Sequence, residues 1–301
     1  MIYKGYHIGG YLPSLPDFRD YSLVTVDKLL RGKVFKSGNY LTNDWKIIEK
    51  AFNLPTIVNL QEWCSSVEDQ RNLGSCTSQS GVSLLEFFER KAFGNYLDAS
   101  RLFLYKVTRN LLGFTGDTGA YLRTTMGAMV LFGVPPEKYH PYKIARFEEE
   151  PAPFVYALAR NYRPTIYFRY DTLEINPTLL LDRIRLFLSA GVPAIFGFSV
   201  YSSIDRAETL GLIPYPSEKD SLLGGHALMV VGYNDDLLIE RADEKGITKG
   251  ALMIKNSWGI GWGQQGYGFL PYDYVLNGLT ADWWTMLGAR YIETKQFSMG
   301  E

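Results

Sequence analysis

The sequence predicts an α+β protein in which a mainly helical half precedes a β-rich half. Helical spacing of apolar residues dominates from about residue 75 to 132, and strand-like runs dominate after about residue 163. Aromatic residues, which suit β-rich packing, make up 15% of the chain. The 301 residues are enough for two lobes. We therefore predict a leader over 1–54, a mainly helical lobe over 55–162 and a β-rich lobe over 163–301.

The leader is rich in glycine and proline and has little periodic pattern. One interpretation is an extended segment wrapped on the rest of the protein. The other is a structured edge of the main domain, in which apolar residues between Leu23 and Leu30 form a short helical turn. The sequence leaves both interpretations open.

The helical half begins with a helix from Ser75. One face of this helix carries Gly81, Leu85, Phe88 and Ala92. Its middle is apolar all round, which predicts burial. Further helices are predicted around Ser100 to Leu112 and over Leu122 to Phe132, the second ended by Gly133.

The β-rich half contains several short apolar runs and one helix. Strands are predicted at Ile166 to Tyr170, Ala194 to Val200, His226 to Tyr233, Ala251 to Lys255 and Leu287 to Ile292. Between the first two strands, Asn176 is the predicted N-cap of a helix that has Pro177 in its first turn and Gly191 after its end.

Charge and cysteine content exclude some functions and indicate a compartment. The 31 basic and 32 acidic residues give a net charge of −1, so the chain is not a globally basic nucleic-acid binder and no nucleic-acid partner is expected. No apolar stretch reaches the ~18 residues of a membrane helix, so no membrane partner is expected. No signal peptide is visible and there are two cysteines, Cys64 and Cys76. A cytoplasmic location is the default, with export by another route left open.

Cys76 is predicted to stand at the start of the first helix. Unpaired N–H groups at a helix N-terminus favour an anion, so this thiol should ionise more readily than the free pKa of about 8.5 implies. On residue type alone, a buried structural cysteine is the commoner alternative. Cys64 is expected to be a free, partly buried thiol, with regulatory oxidation as the alternative.

His226 and Asn256 lie at strand ends that should meet. His226 begins one strand and Asn256 follows the next. If these strands are antiparallel neighbours, the two side chains come together at one edge of the sheet. A nucleophilic cysteine needs a base, and the base needs a partner that fixes its tautomer. Cys76, His226 and Asn256 can fill those roles, although a lone histidine here would more often be an ordinary edge residue.

Four blocks of sequence resemble the signature segments of papain-like cysteine peptidases, in that family's order and closest to its prokaryotic branch. They lie at 69–76, 116–142, 225–233 and 256–267, and the resemblance extends from about Val58 to the C-terminus. It implies the papain-like two-lobe fold, with a helical lobe, a β-rich barrel-like lobe and the active-site cleft between them. It also implies peptide-bond hydrolysis through a thioester acyl-enzyme.

The resemblance also implies the roles of individual residues. Cys76 would be the nucleophile, His226 the general acid/base and Asn256 its orienting partner. Gln70, six residues before Cys76, would supply its amide to the oxyanion hole beside the Cys76 backbone N–H. Trp258 would cover the hydrogen bond between His226 and Asn256. The substrate-binding residues would be Gly119, Ala120, Gly225 and Trp258, although the loop at 119–120 could also be an ordinary one.

Three departures from the family pattern limit what can be transferred. Thr77 follows the nucleophile where the best-known members have tryptophan. The family's usual disulfide cysteines are missing. His226 and Asn256 are 30 residues apart because a charged segment, 234–250, is inserted between their strands. We expect this insertion to be a solvated hairpin, with gating of the cleft as the alternative.

The sequence thus predicts a cysteine peptidase acting on a peptide or protein. The alternatives are an acyl transferase or transpeptidase using the same site, and a catalytically silent peptide-binding protein. The leader is predicted to contact the cleft and restrain activity, as in a zymogen, with capping of the β-rich lobe as the alternative. No cofactor and no metal are expected, since the three histidines and two cysteines have no ligand spacing. Side-chain preference and oligomeric state are not predicted.

Overall fold

The computed structural model describes residues 1–22, 54–173 and 175–291 and confirms the predicted α+β class. The segment from Leu23 to Leu30, for which a helical turn was one interpretation, lies outside the described residues, as does Ile292. The first helices stand before residue 160 and β-strands dominate from Tyr162 onward. The exact boundaries of the three predicted segments stay a prediction.

Six helices are described; four of them begin and end close to the predicted residues, and the two short ones, at 153–159 and 272–276, were not predicted. The six helices are α1 (Cys76–Phe93), α2 (Arg101–Leu112), α3 (Leu122–Phe132), α4 (Pro153–Ala159), α5 (Pro177–Ser189) and α6 (Tyr272–Leu276). The predicted N-cap of α5 is confirmed, since Asn176 Oδ1 accepts the N–H of Leu179 at 2.9 Å. Within the described ranges, no helix combines the length and apolar character needed to cross a bilayer.

Eleven strands are described, and most of them form one antiparallel sheet. They are β1 (Ile2–Tyr3), β2 (Tyr6–His7), β3 (Tyr11–Leu12), β4 (Ile57–Asn59), β5 (Ala120–Tyr121), β6 (Tyr162–Arg169), β7 (Ala194–Tyr201), β8 (Leu222–Glu240), β9 (Ile247–Lys255), β10 (Tyr267–Pro271) and β11 (Thr280–Tyr291). The main sheet has the order β10-β9-β8-β7-β11-β6, with β4 also paired to β8. The predicted hairpin at 234–250 is confirmed as the outer part of the β8–β9 pair.

The sheet separates two apolar cores because successive side chains on a strand point to opposite faces. On β7, Phe196 and Phe198 pack with Ile184 of α5 in one core. Ile195, the residue before Phe196, packs with Val82 of α1 in the other. Helix α1 therefore lies against the sheet and is buried along most of its length, which confirms the predicted burial. This packing fixes the start of α1 beside β8.

The first 22 residues cross from one half of the molecule to the other. Strands β1 and β2 form a small antiparallel pair. Strand β3 pairs in parallel with β5, which directly precedes α3. The chain then reaches the edge strand β6 of the main sheet, where Ser22 bridges to Arg169. The described part of the leader thus lies over the junction between the helices and the sheet.

Candidate active site

Cys76 is the first residue of α1, and its side chain is fully buried. The backbone N–H groups of Ala227, the residue after His226, and of Thr77 lower the pKa of the Cys76 thiol. Burial raises the pKa of the thiol to about 12, more than these N–H donors lower it. The prediction of a readily ionised thiol is therefore wrong for this state of the protein. The physical reason is desolvation, which outweighs the helix terminus.

The structure brings His226 and Asn256 together through the antiparallel pairing of β8 with β9. His226 Nε2 lies 2.9 Å from Asn256 Oδ1, which also accepts the N–H of Ser257 at 2.7 Å. A carbonyl oxygen only accepts, so Nε2 carries the proton and a neutral ring keeps its lone pair on Nδ1. Nδ1 is buried and has no hydrogen-bond partner among the described residues. It is therefore the free position for accepting a proton.

Burial also controls the charge of the imidazole. His226 is fully buried, and this desolvation lowers its pKa to about 4, although the bond to Asn256 works in the opposite direction. Trp258 stacks on the ring at 4.6 Å between centroids and 21° between planes. Near neutral pH the described state thus holds a neutral imidazole and a neutral thiol.

Gln70 is held with its amide nitrogen directed at backbone carbonyls. Its Oε1 accepts the hydroxyl of Ser257 at 2.6 Å, which fixes the orientation of the amide. Its Nε2 donates to the carbonyl of Leu73 at 3.1 Å and lies 3.5 Å from the carbonyl of His7. The side chain assigned to the oxyanion hole therefore lies near two peptide carbonyls, and the more distant one, that of His7, belongs to the leader.

Gly119, Ala120 and Gly225 form the two sides of a groove that the leader fills. Ala120 N–H donates to the Gly10 carbonyl at 3.0 Å, and Gly9 N–H donates to the Gly225 carbonyl at 2.9 Å. A Cβ on Gly119 would lie 2.6 Å from the Gly10 oxygen. The groove is one strand wide, and its edges present the backbone groups that an extended peptide needs.

A second set of contacts holds the leader, and no role was predicted for these residues. His7 Nε2 lies 3.3 Å from Asp117 Oδ2. Asp117 Oδ1 also accepts the N–H of Gly74 at 2.9 Å and the hydroxyl of Tyr105 at 2.6 Å. Asp117 belongs to one of the blocks noted in the sequence, but nothing in the pattern indicates that it meets a histidine 110 residues earlier.

Two tyrosines of the leader and the second cysteine, Cys64, make further contacts near the site. Tyr6 stacks on Trp258 at 4.8 Å between ring centroids, and Tyr11 reaches Asp282, with its hydroxyl 2.7 Å from Oδ2. Cys64 is a free, buried thiol whose sulfur donates to the Leu60 carbonyl at 3.7 Å. Cys64 has no part in the contacts that surround His226.

The comparisons with known proteins agree with this architecture. The family model described as papain family cysteine protease matches residues 54–275. The chain is 34% identical, over 91% of its length and 85% of the relative's, to an uncharacterized peptidase C1-like protein of Acanthamoeba polyphaga mimivirus. It is similar in structure to xylellain, a cysteine protease from Xylella fastidiosa, with a TM-score of 0.71, 29% identity and coverage of 95% of this chain and 96% of that one.

A more distant structure shares the fold. Digestive procathepsin L 3 of Tenebrio molitor larval midgut aligns over 92% of this chain and 83% of its own, with a TM-score of 0.61 and 20% identity. The family match covers most of the chain, so the predicted resemblance and the predicted class of enzyme are confirmed. The chain belongs to the papain family of cysteine proteases.

Proposed function

We propose that the chain hydrolyses peptide bonds with Cys76 as nucleophile, His226 as general acid and base, and Asn256 as the partner that orients the imidazole. The observation that carries this proposal is the 2.9 Å contact between His226 and Asn256, which leaves the buried Nδ1 free to accept a proton. The packing of Cys76 in one apolar core with Ala227, the residue after His226, supports it, because this packing places the thiol beside the histidine's own strand.

The reaction follows from the protonation states of these groups. Nδ1 of His226 takes the thiol proton, and the sulfur attacks the peptide carbonyl carbon. The resulting oxyanion accepts hydrogen bonds from the Gln70 amide and the Cys76 backbone N–H. The imidazolium then gives its proton to the leaving amine, which leaves a thioester on Cys76. Water, deprotonated by His226, attacks the thioester and releases the acid and the free thiol.

We also propose that the leader restrains this activity by occupying the cleft. Its residues 9–12 take the backbone groups of the groove, and in this state Cys76 and His226 are both fully buried. Burial holds both groups neutral, so the thiolate form is disfavoured while the leader is bound. Activity requires the leader to move away or to be removed.

The two cysteines give a matched test of the catalytic proposal. The full chain, its Cys76→Ala variant and its Cys64→Ala variant would each digest the same peptide library, with the products read by mass spectrometry. We expect slow cleavage, by the minor open form, in the wild type and in Cys64→Ala, and none in Cys76→Ala. Cleavage that survives in Cys76→Ala would refute the proposal. Added amine acceptors would identify acyl transfer through products that carry the amine.

A further inference from the structure

His7 of the leader lays its imidazole against Asp117, close to the nucleophile. His7 Nε2 lies 3.3 Å from Asp117 Oδ2. Gly74 leaves room for this contact, because a Cβ there would lie 2.8 Å from Asp117 Oδ1 and 3.1 Å from His7 Cε1. Gly74 stands two residues before Cys76. A basic side chain of the leader thus meets a carboxylate beside the loop that leads into the nucleophile.

Asp117 is also held by groups that do not belong to the leader. Its Oδ1 accepts the N–H of Gly74 at 2.9 Å and the hydroxyl of Tyr105 at 2.6 Å. The Tyr105 hydroxyl in turn accepts the N–H of Gly119 at 3.1 Å. Oδ2 lies 3.1 Å from the Gly74 nitrogen, and its other contact is with His7. Departure of the leader therefore frees Oδ2 while Oδ1 keeps both of its donors.

The charge of Asp117 has no permanent positive partner within ion-pair distance in the described part of the chain. Burial raises the pKa of this carboxyl, but the hydrogen bonds that it accepts outweigh burial and hold the pKa below its ordinary value. Its ion-pair partner is His7, which is charged only when protonated. Arg109 reaches the same loop at the Gly116 carbonyl, but its guanidinium is paired with Glu148 at 2.7 Å. A group with a fixed positive charge therefore suits Oδ2 better than an imidazole.

Asp117 lies beside the place where the carbonyl of a substrate must sit during the reaction. The His7 carbonyl lies 3.5 Å from Nε2 of Gln70, the side chain assigned to the oxyanion hole, and the imidazole of the same residue reaches Asp117. A substrate residue whose carbonyl takes the oxyanion position therefore has its side chain within reach of Asp117. Burial is the main cause of the raised pKa of Cys76, and the negative charge of Asp117 raises it further. A cation on Asp117 offsets that second effect.

We propose that Asp117 selects a lysine or an arginine at the substrate residue whose carbonyl is attacked. This inference rests on the proposed peptidase function. Oδ2 is a single open acceptor, so it can take the ammonium of lysine or one N–H of arginine. A neutral alkyl side chain leaves the carboxylate without a partner, and a glutamate adds a second negative charge beside it. The substrates are therefore peptides or proteins with a basic residue directly before the cleaved bond.

The test compares acetylated peptides that differ only at the residue before the cleaved bond, which is lysine, arginine, norleucine or glutamate. Norleucine has the alkyl chain of lysine without the ammonium. The full chain digests each peptide, mass spectrometry locates the cleavage, and kcat/KM is measured for all four. The ratio for two peptides on one enzyme does not depend on how much of the leader is open, because that fraction cancels.

We expect lysine and arginine to exceed norleucine by roughly ten- to hundredfold, the range of a hydrogen bond between charged groups, with glutamate the slowest. Equal rates for lysine and norleucine, or a preference for glutamate, would overturn the proposal.

A pair of variants assigns the preference to Asp117. Asp117→Asn removes the charge and keeps an oxygen that can accept the Gly74 N–H, so the lysine-to-norleucine ratio should fall at least severalfold. Asp236→Asn is the matched control, because it removes the same charge from an exposed aspartate of the 234–250 hairpin, which pairs with Lys249 at 3.0 Å. Its ratio should equal that of the wild type. The same ratio in both variants would contradict the assignment.

The outcomes also separate this inference from the function on which it rests. Cleavage of all four peptides at similar rates would overturn the charge preference and leave the peptidase proposal standing. Absence of cleavage of every peptide in the wild-type chain would overturn both. The wild-type comparison needs no substitution, so a variant that fails to fold does not remove the test.

Discussion

Gly10 is the position where a single methyl group should release the leader. A Cβ there would lie 2.5 Å from the carbonyl oxygen and 2.9 Å from the Cα of Gly74, closer than real Cβ contacts come. Both atoms belong to the backbone, so no side-chain rotation relieves the clash. Gly74 lies two residues before Cys76, which limits how far it can shift. The change Gly10→Ala should therefore weaken the docked leader more than the rest of the protein.

The size of the effect follows from the cost of overpacking. An extra methyl group in a well-packed site typically costs about 1–3 kcal/mol. If this cost falls on the docked state alone, the open fraction rises roughly 5- to 150-fold for as long as it remains the minor form. The rate on a small peptide substrate should rise by the same factor, and alkylation of Cys76 should accelerate in parallel.

The matched control is Gly261→Ala, because nothing lies within 4 Å of a Cβ at that exposed glycine. Both variants and the wild type would be assayed for peptide hydrolysis and for iodoacetamide labelling mapped to each cysteine. Thermal unfolding would verify that each chain is folded. A Gly10→Ala rate equal to those of the wild type and Gly261→Ala, in folded protein, would refute the view that the docked leader blocks the cleft.

Three further predictions concern catalysis, protonation and stability. Gln70→Ala should lower kcat roughly 100- to 1000-fold, because it removes an oxyanion donor, and should change KM much less. Steady-state kinetics on one peptide tests this. A variant with unchanged kcat and a raised KM would argue against the role. Because burial lowers the pKa of His226 to about 4, the imidazole should stay neutral at pH 6 and gain its proton only near pH 4. An exposed imidazole binds a proton below about pH 6.5, so the docked state binds fewer protons than the open state between about pH 6.5 and 4. Leader docking should therefore have its full stability above about pH 6.5 and lose stability as the pH falls toward 4. Imidazole NMR against pH measures this, and a titration midpoint near 6.5 would contradict it. Asn176→Ala should reduce the free energy of unfolding by about 1 kcal/mol by removing the N-cap of α5, as urea denaturation would detect.

Most of the fold could be predicted from the sequence, because the patterns that indicate its helices and strands involve residues close together in the chain. The apolar face and all-round burial of α1 follow from residues within a few turns of Cys76. The start of α5 is predicted by its N-cap Asn176 and by Pro177 in the first turn. The antiparallel pairing of β8 with β9 is also local in sequence, because the two strands form a hairpin. The contact between His226 and Asn256 could therefore be predicted from the sequence alone.

The contacts of the leader could not be predicted in the same way. Tyr11 and Asp282 are separated by 271 residues, and neither stands in a recognisable pattern. The protonation of Cys76 was also missed, because the helix terminus is visible in the sequence whereas the desolvation that outweighs it depends on what covers the thiol. Both failures come from long-range packing, which spacing along the chain does not encode.

The central claim is that Cys76 carries the acyl group during turnover. The full chain, or Gly10→Ala for a higher yield, would be mixed with a peptide ester, quenched in acid within milliseconds and analysed by intact and peptide-level mass spectrometry. The account predicts a mass increase equal to the acyl part of the substrate, located on Cys76 and absent from Cys64. Continued hydrolysis with the acyl group on another residue, or with no covalent adduct under conditions that trap thioesters, would contradict it.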